Sequence, residues 1–478
     1  MLDRKEYENK IQEAREKEIE RISGFLADYI KLNAKIREQP MSGSPDGALL
    51  KEIADIPIGK SGRDPRDVAE ELVKKVLEQG MLLQHPRFFS FVTSAVSPYA
   101  LAGAVLSDIY NSNAGGFSLA PAAAVLEEKL IRWMGSLAGF DEKCGGLFTS
   151  GGSVSNLTGC IAARKNKLTE EEYDIAAAYT SDQAHSSVKK GLSLMGMRSK
   201  NIRIIETDED FRIRPDLLTA AIEEDIKAGK KPFLIVGSMG TTNTGSIDPL
   251  DKLSDIKEKY GMWLHVDGAY GGSILFSDIY RNLAHGIERA DSLSWDTHKW
   301  AMQGYSSSCI IARDKKTLIN TYAEHPEYLA DIIDEEHSDG WDMGIEMSRP
   351  TRYIKLWYTV QCMGTDLLSD VIDYSFFNAD LAKKELMKME GWEITSKPMC
   401  GTITFRYAPK DVSPEEYDRL NLEISKQMIE KEYAYIVTTT VKGKRVLRLN
   451  LINGNTTDED VRFTVEKLQE VAESVVNC

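Results

Sequence analysis

Cysteine is scarce in this chain: Cys144, Cys160, Cys309, Cys362, Cys400 and Cys478 are the only six in 478 residues. They form no C-x-x-C pair and no cluster, which excludes a disulfide scaffold and a sulfur-ligated structural metal and suits a reducing compartment. Basic charge is also short, with 59 Lys and Arg against 74 Asp and Glu and a formal net charge of -15. That is the wrong sign for neutralising the phosphates of a duplex, so nucleic acid is not expected as a partner. Nowhere do about 18 apolar residues run uninterrupted, so no membrane span is expected. The N-terminus, MLDRKEYENK, is charged where a signal peptide needs an apolar core, and a cytoplasmic protein is expected. Repeats with a period of about 20 to 50 residues and low-complexity tracts are missing too. What remains is 42% apolar and 28% charged, the balance of a globular chain able to bury a large core in two or three domains.

Residues 3–38 place Ile11, Ile19, Ile22, Phe25, Leu26, Tyr29 and Ile30 near helical spacing, an amphipathic helix whose stripe packs on its own body or on a second copy. A loop at 40–47 and a helix at 67–79 closed by Gly80 complete a helical N-terminal segment, residues 1–80. From about residue 145 short apolar runs at 147–149, 176–180, 202–206, 233–238, 263–267 and 309–312 alternate with helical stretches at 153–165, 215–228 and 249–260. This rhythm predicts an α/β large domain, residues 81–375, with a mainly parallel sheet covered on both faces. Beyond residue 376, runs at 402–407, 433–441 and 446–451 between helices at 414–430 and 457–475 predict a small α+β C-terminal domain.

Four segments sit at the ends of predicted strands, where open α/β sheets hold their ligands. Thr149-Ser150-Gly151-Gly152-Ser153 leads from a strand into a helix, a place for an anion or simply a tight turn. Neither G-x-x-x-x-G-K-[ST] nor G-x-G-x-x-G occurs, which disfavours a nucleoside triphosphate or a dinucleotide. Asp267, in Val266-Asp267-Gly268-Ala269-Tyr270, ends an apolar strand, where a carboxylate needs a positive partner: a pyridinium N–H, an arginine or a helix start. Lys299, in Asp296-Thr297-His298-Lys299-Trp300, has aromatic neighbours that favour a desolvated amine able to attack carbonyls, although most lysines only solubilise a surface. His185 opens a helix after a strand, and a lone histidine there is more often structural than catalytic. Together the four supply an anion cradle, a carboxylate for a ring nitrogen, an amine and a flat imidazole, the set that pyridoxal phosphate requires.

On these residues the sequence resembles the pyridoxal-phosphate-dependent group II amino-acid decarboxylases, and bacterial tryptophan and aromatic-L-amino-acid decarboxylases among them. The resemblance runs from His85-Pro86-Arg87-Phe88-Phe89 through 181–185, 240–248, 266–270 and 296–299 to Leu356-Trp357. It implies a fold type I (aspartate-aminotransferase-like) enzyme that forms a homodimer. Its chemistry would be decarboxylation of an aromatic L-amino acid, tryptophan foremost, through an aldimine and a quinonoid; phenylalanine, tyrosine and dopa stay open. A transaminase or an aldehyde-forming oxidative deaminase would use the same residues. By the resemblance Lys299 carries pyridoxal 5'-phosphate as an internal aldimine, Asp267 pairs with the pyridine nitrogen, and His185 and Ala269 flank the ring. Gly152, Ser153 and His298 cradle the phosphate, Thr242 lies near the ring, and Asp296 departs from the family's common asparagine. Phe91, Phe117, Leu119 and Trp341 match substrate-pocket positions. The family's loop tyrosine is missing from 335–347, which leaves Tyr328 as the candidate proton donor. The cluster Asp331, Asp334, Glu335, Glu336 and His337 reads as a solvated lid rather than a metal site, and no metal is expected.

Overall fold

The computed structural model describes residues 5–6, 22–31, 35–324 and 338–476. Seven strands form one sheet: β1 Gly145–Thr149, β2 Ala176–Ser181, β3 Ile202–Ile205, β4 Lys231–Ser238, β5 Trp263–Asp267, β6 Ser292–Trp295 and β7 Ser308–Ala312, in the order β1-β7-β6-β5-β4-β2-β3. β2 to β6 pair in parallel, and β7 runs against both its neighbours, β6 and β1. All five residues of β1, of β5 and of β7 are buried, as expected for strands covered on both faces. Within this sheet β6 is the strand that the sequence reading missed: its four residues alternate serine with Leu293 and Trp295, so no apolar run marks it.

The smaller sheet, β8 Trp392–Ile394, β9 Thr402–Tyr407, β10 Thr438–Val441 and β11 Lys444–Asn450, is antiparallel in the order β10-β11-β9-β8. It packs on the helices Tyr417–Glu430 and Asp458–Val476 around a core that includes Phe405, Ile424, Leu447 and Leu468. The helix Thr365–Leu386 leads into this sheet and runs unbroken through residue 376. Among the described residues no helix is long and apolar enough to cross a membrane.

A buried ion pair ties distant segments of the large domain together. Arg349 donates to Glu127 at 2.5 and 3.2 Å and to the carbonyls of Ala114 and Phe148, while Glu127 accepts the Phe148 N–H at 2.7 Å. The pair thus ties residues 114 and 349 to β1. Removing one partner strands the other charge in the interior, so Arg349→Met is expected to cost about 3–5 kcal/mol of stability. Urea unfolding checks this, and the double variant Glu127→Gln/Arg349→Met should recover part of the loss.

Candidate active site

The carboxyl ends of β1, β2, β4, β5 and β6 meet at one edge of the large sheet and enclose a cavity of about 350 Å³. Gly152 and Ser153 enter it from the start of the helix Gly152–Lys167, His185 from the turn after β2, and Thr242 from the turn after β4. Asp267 and Ala269 come from the end of β5, and Asp296, His298 and Lys299 from the turn after β6. Chain segments far apart in sequence converge because parallel strands all end on the same side.

Each side chain is held. Asp267, 8% exposed, accepts from Asn156 Nδ2 at 3.0 Å, the Ala269 N–H at 3.2 Å and Ser294 Oγ at 3.3 Å. Lys299 Nζ lies 3.1 Å from Asp296 Oδ2, and His298 Nε2 lies 3.6 Å from the same oxygen. The aromatic neighbours of Lys299 do not surround its amine: Trp295 and Trp300 are fully buried in the core, and the lysine turns to the polar cavity. His185 caps the helix Ser186–Leu194, its Nδ1 accepting the Ser187 N–H, so its own proton is on Nε2. Burial pushes the His298 imidazole below its ordinary pKa, and the Ser307 carbonyl accepts from its Nδ1 at 2.7 Å. Tyr305 stands at 4.7 Å from the His298 ring, on a segment whose carbonyls at Gly304, Tyr305 and Ser306 all accept from Lys355.

The small sheet reaches the same cavity. Tyr270 donates to the Cys400 carbonyl and accepts from Asn450 Nδ2 at 2.7 Å, and Arg448, 4% exposed, donates to the carbonyls of Thr242 and Phe91.

Residues 55–408 match the pyridoxal-dependent decarboxylase conserved domain, most of the chain and every element of this cavity between Ser150 and Tyr305. The chain belongs to the pyridoxal-dependent decarboxylase family. It is 33% identical over 444 residues to the aromatic-L-amino-acid decarboxylase of Bacillus atrophaeus, covering 92% of each chain. It is 28% identical over 444 residues to human cysteine sulfinic acid decarboxylase, covering 89% of this chain and 90% of that one. The solved tryptophan decarboxylase of Catharanthus roseus in complex with L-tryptophan superposes with a TM-score of 0.88 at 26% identity, over 99% of both chains. The enzyme is therefore a group II decarboxylase of the fold type I architecture, with pyridoxal phosphate as its cofactor.

The cavity of this decarboxylase fits that cofactor. A Cβ at Gly152 would lie 2.8 Å from Asp296 Oδ2 and 2.9 Å from the Ala269 methyl, so only glycine leaves the cradle open. The Asp296 carboxylate is compensated by Lys299, 3.1 Å from its Oδ2, and its Oδ1 is buried with no hydrogen-bond partner among the described residues.

The expected pocket residues are placed differently. Phe91, Phe117, Leu119 and Trp341 do not line the cavity around Lys299 within this chain. Trp341, 6% exposed, is wedged against Gly115 and Gly116, and Phe117 borders a separate small cavity beside the helix Pro121–Leu137. Phe91 and Leu119 are each 48% exposed on the surface. These positions rest on the family resemblance, which by itself does not fix where each side chain lies within one chain. Tyr328 and the acidic cluster 331–337 lie outside the described residues. Sequence reasoning missed Asn156, Ser294, Tyr305 and Arg448; only Asn156 left a signal, one helical turn after Gly152 and so on the same face.

Proposed function

We propose that this enzyme decarboxylates an aromatic L-amino acid, with tryptophan foremost, to the amine and carbon dioxide. The observation that carries this is the lining: Lys299 is its only lysine or arginine among the described residues, so nothing there pairs a second substrate carboxylate. The Tyr305 ring at the mouth adds a flat apolar surface instead.

In this reading Lys299 attaches the cofactor, Gly152, Ser153 and His298 hold its phosphate with Thr242 near the ring, and His185 and Ala269 flank the ring. The bound cofactor supplies an electron sink for the pair left when carbon dioxide departs. Asp267 keeps the proton on the ring nitrogen, and Asn156 in turn keeps a donor on Asp267. His185, held by its cap on the helix, would present a rigid face that helps to orient the substrate.

We also infer a cytoplasmic homodimer, with residues 1–80 packing against the second copy. The helix Pro98–Tyr110 supports it, exposing Ile109 at 70% and Tyr110 at 78% next to Val105 and Leu106, an apolar patch that water does not favour. A partner covering that face would be the means by which Phe117 and Leu119 come to the Lys299 cavity of the second copy.

A competition assay with all twenty amino acids and amine detection tests the substrate. Aromatic amines, tryptamine first, are the expected products; 4-aminobutyrate, β-alanine or hypotaurine as the main product would overturn the proposal.

A further inference from the structure

Trp263, His265 and Asp267 alternate along β5, so their side chains leave the same face of the strand. The helix Gly152–Lys167 crosses that face, and a buried line of hydrogen bonds runs between them. Trp263 Nε1 donates to Ser292 Oγ at 2.9 Å, and Ser292 Oγ lies 2.8 Å from His265 Nδ1. His265 Nε2 lies 3.0 Å from Asn156 Oδ1, and Asn156 Nδ2 donates to Asp267 Oδ2 at 3.0 Å.

Each link has one possible direction. A carboxylate only accepts, so the amide turns Nδ2 to Asp267 and leaves Oδ1 for His265. That oxygen only accepts, so the imidazole carries its proton on Nε2. Nδ1 then accepts, and the Ser292 hydroxyl donates to it. Burial pushes His265 down to about 4, so the ring is neutral and its one N–H is committed to Asn156. A Cβ at Gly159 would lie 2.6 Å from His265 Nδ1, so the glycine lets the helix sit directly on the ring.

We propose that His265 is a positioning residue: with its proton on Nε2 it fixes the orientation of the Asn156 amide and so keeps a donor on the Asp267 carboxylate. The inference rests on the reading of Asp267 as the partner of the ring nitrogen. Asn156 Nδ2 uses its second hydrogen to donate to Ser187 Oγ at 3.1 Å; without the imidazole, Asn156 Oδ1 loses its buried donor and the amide can turn that oxygen toward the Ser187 hydroxyl, away from its present bond to Asp267. A carboxylate with one donor fewer holds its own proton more tightly and the ring nitrogen's less.

The test compares His265→Leu, which removes the donor, with His265→Gln, whose amide nitrogen reaches the same place, in the full-length holoenzyme. His265→Leu is expected to lower kcat about tenfold with substrate KM within about twofold, and His265→Gln to stay within about threefold of the parent. Titration of the apo-enzyme with pyridoxal phosphate should show the same order, with affinity about tenfold weaker for His265→Leu. Added to Asn156→Ala, His265→Leu should cost nothing more, because the two act in series. A folded His265→Leu with parental kcat and cofactor affinity, a His265→Gln no better than it, or additive losses with Asn156→Ala would each overturn the proposal. If His265→Leu does not fold, His265→Asn, whose amide is too short to reach Asn156, takes its place. Parental turnover by Asp267→Asn would sink the ring-nitrogen reading itself; an impaired Asp267→Asn beside a normal His265→Leu sinks only this inference.

Discussion

Lys299→Ala is expected to lose the visible absorption of bound pyridoxal phosphate and to cut amine production at least about 1,000-fold, about 4 kcal/mol in the barrier. Among the described residues that line the cavity it supplies the one primary amine, and covalent attachment to a carbonyl cofactor needs one. The substitution also leaves Asp296, 3% exposed at its side chain, without the cation 3.1 Å away. A stability loss could therefore imitate a catalytic one. Lys299→Arg separates the two, because the guanidinium keeps a positive charge by Asp296 and cannot form the bond. It should melt near the parent temperature yet be as inactive and as colourless as the alanine variant. Turnover within tenfold of the parent by either would refute the assignment.

Asp267→Asn should lower turnover by about 100-fold or more, on the order of 2.7 kcal/mol, with the fold intact. The shapes of the two side chains match, and the site's donors decide the outcome. Asn156 Nδ2, the Ala269 N–H and Ser294 Oγ all point at the carboxylate. An amide there must turn its own NH2 toward at least one of them or toward the ring nitrogen, and it brings no negative charge to hold a proton at that nitrogen. Steady-state rates and the near-ultraviolet spectrum of the loaded variant check it; turnover within about threefold of the parent removes the electron-sink role.

What the sequence makes legible follows from range. β5 is read to the residue at 263–267, and β9 at 402–407, because an apolar run between turn signals is a local pattern. The cavity residues at Gly152, His185, Asp267 and Lys299 are equally legible, since each sits just past a strand and strand ends converge by topology. β6 escapes because Ser292 and Ser294 point into a polar network of their own, with Trp263 and His265 on one serine and Asp267 on the other. The pocket residues escape for another reason. Trp341 fits where Gly115 and Gly116 leave room, a pairing across more than 200 positions that no local period encodes. Arg448 is similar, a cation whose partners, the Thr242 and Phe91 carbonyls, come from backbone and so leave no mark in the residue types.

The hydrogen bonds of Tyr270 to Cys400 and Asn450, and of Arg448 to Thr242, give the two sheets a shared thermodynamic fate. Opening β9 or β11 to solvent breaks contacts that shape the cavity, so a ligand gripped there resists that opening although it touches neither strand. Cofactor occupancy is in this sense stored partly as protection of the small sheet. The small sheet and the cavity are thereby coupled through Tyr270, Asn450 and Arg448.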